Sequence, residues 1–303
     1  MPMPTIPEPE TIAGSRAHLF GVSAAMVTPF ASDGSVDLPR LVAHAAHVMR
    51  AGADGMTLFG TTGEGASLGM SERVAMLDAV LESGIAAHCM TAGIAASDLE
   101  GAVWQAQIAM DRGVNRLLLA PPFYFKGIDD DALFRWVAGF VARLDREDAR
   151  IILYHIPQVT GVHFDAPLIR RIKDGFGNAI LGVKDSAGDW EHIAGLLPME
   201  DLAILVGDER MLARAAPLGG AGAISGMANL MPAQIGRLVR QGIANPALNA
   251  LVDDIVKVPV TPLVKALVGA VAGDAGWSRA RPPLSDAAPE IVGRLAPRVV
   301  SLL

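Results

Sequence analysis

Lys184 is the residue of this sequence best placed for covalent chemistry. It directly follows the apolar run Ile-Leu-Gly-Val at 180–183, which predicts a buried strand ending at the lysine. An amine at such a strand end loses hydration, which favours its neutral form, and neutral amines attack ketones to form Schiff bases. A structural role, in which Lys184 pairs with Asp185 or Asp208, explains the same position. The lysine alone therefore leaves both interpretations open.

The chain has two tyrosines, Tyr124 and Tyr154, and both follow predicted strands. A phenol beside a Schiff-base lysine can relay protons while carbon–carbon bonds form or break. Tyrosines near loops more often serve as interface or core-rim residues. Their joint position at strand ends is what favours the chemical role.

A loop with the sequence Gly-Thr-Thr-Gly-Glu occupies residues 60–64, after another predicted strand. Its backbone N–H groups and two hydroxyls suit a carboxylate or a phosphate. The glycine spacing is not that of a dinucleotide-binding loop, and the lysine of a P-loop is absent. A tight structural turn explains the loop equally well.

Composition narrows the class of protein. Of the 303 residues, 51% are hydrophobic and 19% charged, which indicates a globular protein with a large core. The net charge of −7 and the lack of a Lys/Arg cluster argue against a nucleic-acid partner. No apolar run reaches the roughly 18 residues that a membrane span needs. The lone Cys89 excludes an internal disulfide and fits a cytoplasmic protein.

The histidines do not predict a metal site. His44 and His47 lie three residues apart on one predicted helix without a carboxylate beside them, so a core or surface role is expected.

From residue 21 onward, short β-rich runs alternate with amphipathic segments of helical length. Eight such units in about 220 residues predict a (β/α)8 TIM barrel, although an open, doubly wound sheet is an alternative. We divide the chain into a flexible N-terminal arm at 1–18, a barrel at 19–242 and a C-terminal helical extension at 243–303. The predicted strands are 21–27, 55–59, 87–92, 116–119, 151–155, 180–184, 203–207 and 222–225.

An ordered set of motifs resembles the dihydrodipicolinate synthase / N-acetylneuraminate lyase family and runs through nearly the whole chain. The motifs are Ala-Met-Val-Thr-Pro-Phe at 25–30, the loop 60–64, Tyr-His-Ile-Pro at 154–157, Thr-Gly at 160–161, Gly-Val-Lys-Asp at 182–185 and Arg-Pro-Pro-Leu at 281–284. The resemblance implies a pyruvate-dependent class I aldolase or lyase on a TIM barrel, working without a cofactor or metal. It also implies a homo-oligomer, usually a tetramer built from two tight dimers.

The resemblance assigns catalytic roles residue by residue. Lys184 would form the Schiff base, and Tyr154 would be the phenol beside it. Thr61 would join the proton relay. Tyr124 would reach across a dimer interface to complete the relay of the neighbouring subunit.

Substrate-binding roles follow in the same way. Thr62, together with Thr61 and the neighbouring Gly60, would hold the keto-acid carboxylate. Ile224 would line the pocket.

Departures from the family pattern concern the acceptor. Synthases of the lysine pathway carry Asn and Arg where this chain has His155 and Val159, and that arginine binds the carboxylate of aspartate semialdehyde. We therefore expect Gln158 and Val159 to contact a different acceptor, and His155 either to hydrogen-bond a hydroxyl or carboxylate of that acceptor or merely to pack.

The leading hypothesis is a lyase that forms or cleaves a 4-hydroxy-2-keto acid. Three alternatives remain: 4-hydroxy-tetrahydrodipicolinate synthase activity, a dehydratase acting on a keto sugar acid, and a keto-acid sensor that has lost catalysis.

Overall fold

A closed barrel of eight parallel strands forms the centre of the protein, in a computed structural model that describes residues 19–303. The strands pair in chain order, and the last pairs with the first. The predicted (β/α)8 fold is thereby confirmed. The strands are β1 (Gly21–Ala25), β2 (Gly55–Leu58), β3 (Met90–Ile94), β4 (Arg116–Leu119), β5 (Arg150–His155), β6 (Ile180–Asp185), β7 (Ala203–Val206) and β8 (Gly222–Ser225).

Helices surround the barrel and continue beyond it towards the C-terminus. None of the helices in the described part of the chain is long and apolar enough to cross a membrane. The helices are α1 (Leu38–Arg50), α2 (Met70–Glu82), α3 (Leu99–Met110), α4 (Asp130–Leu144), α5 (Pro157–Thr160), α6 (Ala166–Phe176), α7 (Trp190–Leu196), α8 (Glu209–Ala215), α9 (Pro232–Gln241), α10 (Pro246–Ile255), α11 (Val260–Ala272) and α12 (Pro289–Val300).

The predicted boundary between the barrel and the C-terminal extension can be compared with the helices of the structure. The predicted boundary between residues 242 and 243 falls in the short connection from α9 to α10. The arm predicted at 1–18 lies outside the described residues.

Alternation along the strands decides which side chains enter the barrel. In β5, Ile152 and Tyr154 belong to the cluster that fills the barrel interior, whereas Ile151 and Leu153 belong to the larger core shared with the helices. Both faces of a barrel strand are covered, so its sequence is apolar almost throughout. Because side chains alternate along a strand, successive residues at a strand end point to opposite sides of the barrel wall, one into the interior and one towards the helices.

One strand begins later than its sequence predicts. Residues 87–89 form a 3₁₀ turn, and β3 starts at Met90. The Cys89 N–H donates to the Ala86 carbonyl at 2.9 Å and so closes a turn, while the exposed His88 stays outside the sheet. This corrects the prediction of a strand over 87–92.

The C-terminal helices pack against the barrel as part of the same structure. Most of α11 is buried, and Trp277, just after it, packs edge-on against His44 of α1 with ring centroids 4.9 Å apart. His44 Nε2 lies 3.1 Å from Asn229 Oδ1. His44 is thus a core residue, one of the two roles that its sequence position allowed.

Candidate active site

Lys184 and Tyr154 face each other on neighbouring strands inside the barrel. They are register partners in β5 and β6, and each is 5% exposed. Lys184 Nζ donates to the Tyr154 hydroxyl at 3.2 Å. The alternative in which Lys184 pairs with an aspartate does not fit this geometry, because Asp185 binds His192 and Asp208 binds Arg210.

Thr61 extends this contact into a chain of three functional groups. Its Oγ1 lies 3.3 Å from the Tyr154 hydroxyl, which itself accepts from Lys184. The three side chains come from three separate parts of the barrel mouth. A proton can therefore pass between amine, phenol and hydroxyl without a large movement.

The loop that carries Thr61 is bent sharply at both ends. Phe59 and Glu64 have φ angles of 62° and 55°, a region in which non-glycine residues are uncommon. Gly65 is required by close approach, because a Cβ there would lie 1.8 Å from the Phe59 carbonyl oxygen. Such strained backbone persists when its surroundings hold it in place.

The bend leaves two amides available to a ligand. The N–H groups of Gly63 and Gly65 both donate to the Gly60 carbonyl, at 3.1 and 3.0 Å. The N–H groups of Thr61 and Thr62 donate to no group within residues 19–303. Both threonines and Gly60 line the cavity that opens above Lys184, so this turn offers donors suited to a carboxylate.

Side chains from the C-terminal region hold the loop from behind. Glu64 forms a fully buried ion pair with Lys265 of α11, and Glu64 Oε2 accepts from the Arg281 N–H at 2.8 Å. Thr261 Oγ1 donates to the Thr61 carbonyl at 3.2 Å. Burial lowers the pKa of the Lys265 ammonium, and its bond to Glu64 opposes that shift. The C-terminal helices therefore help to fix the loop that carries Thr61.

Arg73 of α2 supports the same loop from the other side. Its guanidinium donates to the carbonyls of Gly93 and Gly65 at 2.9 and 2.7 Å, and it lies 4.7 Å from the Phe59 ring centroid. Burial lowers the pKa of Arg73 to about 10.

A cavity of about 920 Å³ opens above Lys184 and is closed on one side by α10 and α11. Of the predicted substrate-binding residues, Ile224, Gln158 and Val159 also line it. Gln158 Nε2 donates to the Ser186 carbonyl at 2.6 Å, and Val159 is 59% exposed. The structure therefore brings most of the predicted site residues together.

His155 is the exception and corrects the expectation that it contacts the acceptor. It directly follows Tyr154 in β5, so its side chain points away from the barrel interior, and it does not line the cavity. Its Nδ1 accepts from the Phe164 N–H at 3.1 Å, and its ring stacks on His192 with centroids 4.2 Å apart.

His192 completes a buried polar cluster behind the strands. Its Nδ1 lies 2.5 Å from Asp185 Oδ2 and its Nε2 lies 2.9 Å from the Phe164 carbonyl. Both partners are acceptors, so the geometry fits a protonated imidazole. The Asp185 hydrogen bond raises the pKa of His192, whereas burial lowers that of His155 to about 4. Sequence reasoning missed His192, whose position on α7 gave no signal.

The same three side chains could be metal ligands by type, since donor atoms of His155, Asp185 and His192 lie within 4.8 Å of one another. Hydrogen bonds already occupy both nitrogens of His192 and one nitrogen of His155. A metal would have to displace the Asp185–His192 bond.

Glu209 is a second group that sequence reasoning passed over. It lines the cavity at the start of α8, and its Oε1 accepts from Ser225 Oγ at 2.6 Å and from the Met227 N–H at 3.3 Å. Burial raises the pKa of Glu209.

Tyr124 stands apart from the cavity. It follows β4, is 75% exposed and packs edge-on against the equally prominent Phe125, with ring centroids 5.2 Å apart. Within one subunit it touches none of the catalytic candidates, so its predicted role depends on a second copy of the chain.

Comparison with known proteins adds to this geometry. The model of the dihydrodipicolinate synthetase family matches residues 18–296. A protein of Chloroflexus aurantiacus named an uncharacterized DapA-like lyase is 36% identical over 81% of this chain and 85% of its own length. A 4-hydroxy-tetrahydrodipicolinate synthase of Acidothermus cellulolyticus is 30% identical over 92% of each chain. The solved structure of dihydrodipicolinate synthase from Agrobacterium tumefaciens has a TM-score of 0.90 and 43% identity, covering 94% of this chain and 99% of its own.

Proposed function

The chain belongs to the dihydrodipicolinate synthetase family, whose members are pyruvate-dependent class I lyases, and from this premise we propose that it forms or cleaves a 4-hydroxy-2-keto acid at Lys184. The observation that carries the proposal is the contact of Lys184 Nζ with the Tyr154 hydroxyl, and of that hydroxyl with Thr61 Oγ1, at the base of the cavity.

In the cleavage direction, the Lys184 amine attacks the C2 carbonyl, and the Tyr154 phenol gives its proton to the departing hydroxyl, so that loss of water leaves an iminium ion and a tyrosinate. The tyrosinate accepts the proton of the C4 hydroxyl while the C3–C4 bond breaks, its electron pair forms the C2–C3 double bond, and the iminium π pair moves to nitrogen. The aldehyde leaves, and C3 of the resulting enamine takes a proton back through Tyr154 and Thr61. Hydrolysis by one water then releases pyruvate and frees the amine.

The loop at 60–64 would hold the carboxylate of the keto acid. The N–H groups of Thr61 and Thr62, which have no partner in the described part of the chain, support this role, because paired backbone donors bind anions well. Gly60 lets the backbone approach the ligand closely.

Synthesis of 4-hydroxy-tetrahydrodipicolinate is a second candidate function. The name of the Acidothermus cellulolyticus relative favours it, and it would use the same lysine with aspartate semialdehyde as the acceptor. Condensation with that aldehyde, measured against cleavage of hydroxylated keto acids, separates the two. Faster turnover of aspartate semialdehyde would favour the synthase.

We also propose a cytoplasmic homo-oligomer in which Tyr124 contributes to the site of a neighbouring subunit. The exposed pair Tyr124 and Phe125 supports an interface at this loop. Tyr124→Phe should lower kcat without changing the mass of the particle measured by sedimentation. An unchanged kcat would contradict the proposed role of the phenol.

The Schiff base is tested by reduction. Wild-type protein incubated with pyruvate and borohydride should gain one reduced pyruvyl group by intact mass, and Lys184→Ala should gain none. Lys257→Ala, which removes an exposed lysine that pairs with Asp254 and does not itself line the cavity, is the matched control and should be modified like wild type. Modification of Lys184→Ala would contradict the proposal.

A further inference from the structure

We propose that the aldehyde half of the substrate is apolar, such as an aryl or branched-alkyl aldehyde, and that the site disfavours aldehydes with a carboxylate or several hydroxyls. The inference rests on the proposed function and names the class of its acceptor.

The acceptor must occupy the part of the cavity that the keto acid leaves free. If the loop at 60–64 holds the carboxylate and Lys184 bonds to C2, the substituent on C4 extends past Tyr154 towards α5 and the α10–α11 connection. The cavity of about 920 Å³ is at the upper end of the range for sites that hold drug-sized ligands. It leaves room for an acceptor larger than acetaldehyde.

Apolar side chains line this outer part of the cavity. Val159 is 59% exposed, and Val256 and Val260 are 47% and 39% exposed. Phe123 and Ile156 line the cavity with them. Exposed aliphatic groups gathered at the mouth of a cavity gain free energy when an apolar ligand covers them.

Two neutral polar side chains of the outer lining already have partners. Gln158 Nε2 donates to the Ser186 carbonyl at 2.6 Å, and Thr160 Oγ1 donates to the Ile156 carbonyl at 3.1 Å. A polyhydroxylated acceptor that used these two groups would have to replace these bonds, so such contacts would gain little over those that its hydroxyls make with water.

Among the charged side chains of the lining, Arg210 and Asp208 pair with each other. The ammonium of Lys126, beside the lining, donates to the carbonyls of Phe123 and Thr160. Apart from Lys184, the cation that lines the cavity within residues 19–303 is Arg210. Its guanidinium donates to both oxygens of Asp208, at 2.9 and 2.6 Å, and to Asp253 at 2.7 Å. A carboxylate on the acceptor would compete with two carboxylates for this cation and would meet their negative charge.

Val159 occupies the position at which a cation would change this preference. It lies on α5 at the mouth of the cavity, beside Gln158, and more than half of its surface is exposed. Val159→Arg should place a guanidinium at the outer cavity and favour an anionic acceptor.

The test compares pyruvate release from three aldol adducts of pyruvate, made with benzaldehyde, glyceraldehyde and aspartate semialdehyde. We expect kcat/KM for the benzaldehyde adduct to exceed the other two by at least about tenfold. Val159→Arg should lower that ratio roughly tenfold, whereas Val300→Arg, which adds the same charge at an exposed position of α12, should leave it unchanged.

A higher kcat/KM for either polar adduct would overturn the inference, as would an unchanged ratio in Val159→Arg. Borohydride trapping of pyruvate in each variant keeps the two proposals apart. Trapping together with a preference for polar adducts contradicts only the acceptor class, whereas failure of trapping in wild type contradicts the Schiff-base function itself.

Discussion

The inner and outer faces of β5 and β6 place two kinds of polar group one residue apart. On the inner face, Tyr154 and Lys184 contact each other and open onto a cavity. On the outer face, His155 and Asp185 join His192 in a largely buried cluster in which hydrogen bonds use most of the polar atoms. The strand pair thus carries reactive groups on one side and an anchor on the other, because successive side chains alternate.

The difference suggests how the reactive pair keeps its geometry. Asp185 and His155 flank the catalytic candidates along the chain, and a buried ion pair resists movement of the strands that carry them. The inner groups have fewer bonds to protein and remain free to bond to substrate.

The largest effect on activity is expected from removing the proposed proton carrier on the inner face. Tyr154→Phe should lower kcat by roughly 10²–10⁴-fold, because the C4 hydroxyl then lacks its proton acceptor. Steady-state pyruvate release measures this. Circular dichroism should show an unchanged fold, and a kcat within threefold of wild type would contradict the assigned role.

On the outer face, the expected effect is on stability. Asp185→Ala leaves the His192 imidazolium without its counter-ion and should lower the free energy of unfolding by on the order of 3 kcal/mol. Urea denaturation measures this. Asp174→Ala, which removes an exposed partner of Arg170, is the matched control and should cost at most about 0.5 kcal/mol. Equal effects of the two substitutions would contradict the comparison.

For each pH unit a smaller effect is expected, and its sign differs between the two histidines of the outer face, His155 and His192. Burial lowers the pKa of His155 to about 4, and that of His44 likewise, so from pH 6.5 down to about 4 the unfolded chain binds protons that the native protein does not. Stability should fall there by up to about 1.4 kcal/mol per pH unit for each histidine.

His192 has the opposite sign, since Asp185 raises its pKa. The stability that His192 contributes is fully present below its pKa in the unfolded chain. It is lost as the pH rises through its higher pKa in the folded protein. The charged and titratable groups around both rings are Asp185, Asp189 and His163, in addition to each other.

His155→Asn separates these contributions. The variant should show a shallower loss of stability between pH 6.5 and 4, by about one proton in the slope of unfolding free energy against pH. Urea denaturation at a series of pH values checks this. A slope identical to that of wild type would contradict the assignment of a neutral, buried His155.

The sequence was sufficient for the inner face, because a lysine after four apolar residues and a tyrosine at another strand end both imply a position at the barrel mouth. The prediction that His155 contacts the acceptor was wrong for one physical reason. The residue after Tyr154 still belongs to the strand, so alternation turns it outward, whereas the motif suggested a pocket residue.

Two other features that shape the site and the barrel could not be predicted from the sequence. The ion pair of Glu64 with Lys265 joins residues about two hundred positions apart, and no local pattern connects them. The turn that delays β3 to Met90 depends on a backbone bond at Ala86, whereas the apolar pattern of the segment predicted a strand.

The central claim is that Lys184 forms a covalent bond to the keto carbon, and peptide mapping after reduction tests it most directly. Wild-type protein treated with pyruvate and borohydride should carry the reduced pyruvyl group on the peptide that contains Lys184, with no modification of the buried Lys265. A modification at any other lysine, with Lys184 unmodified, would contradict the account.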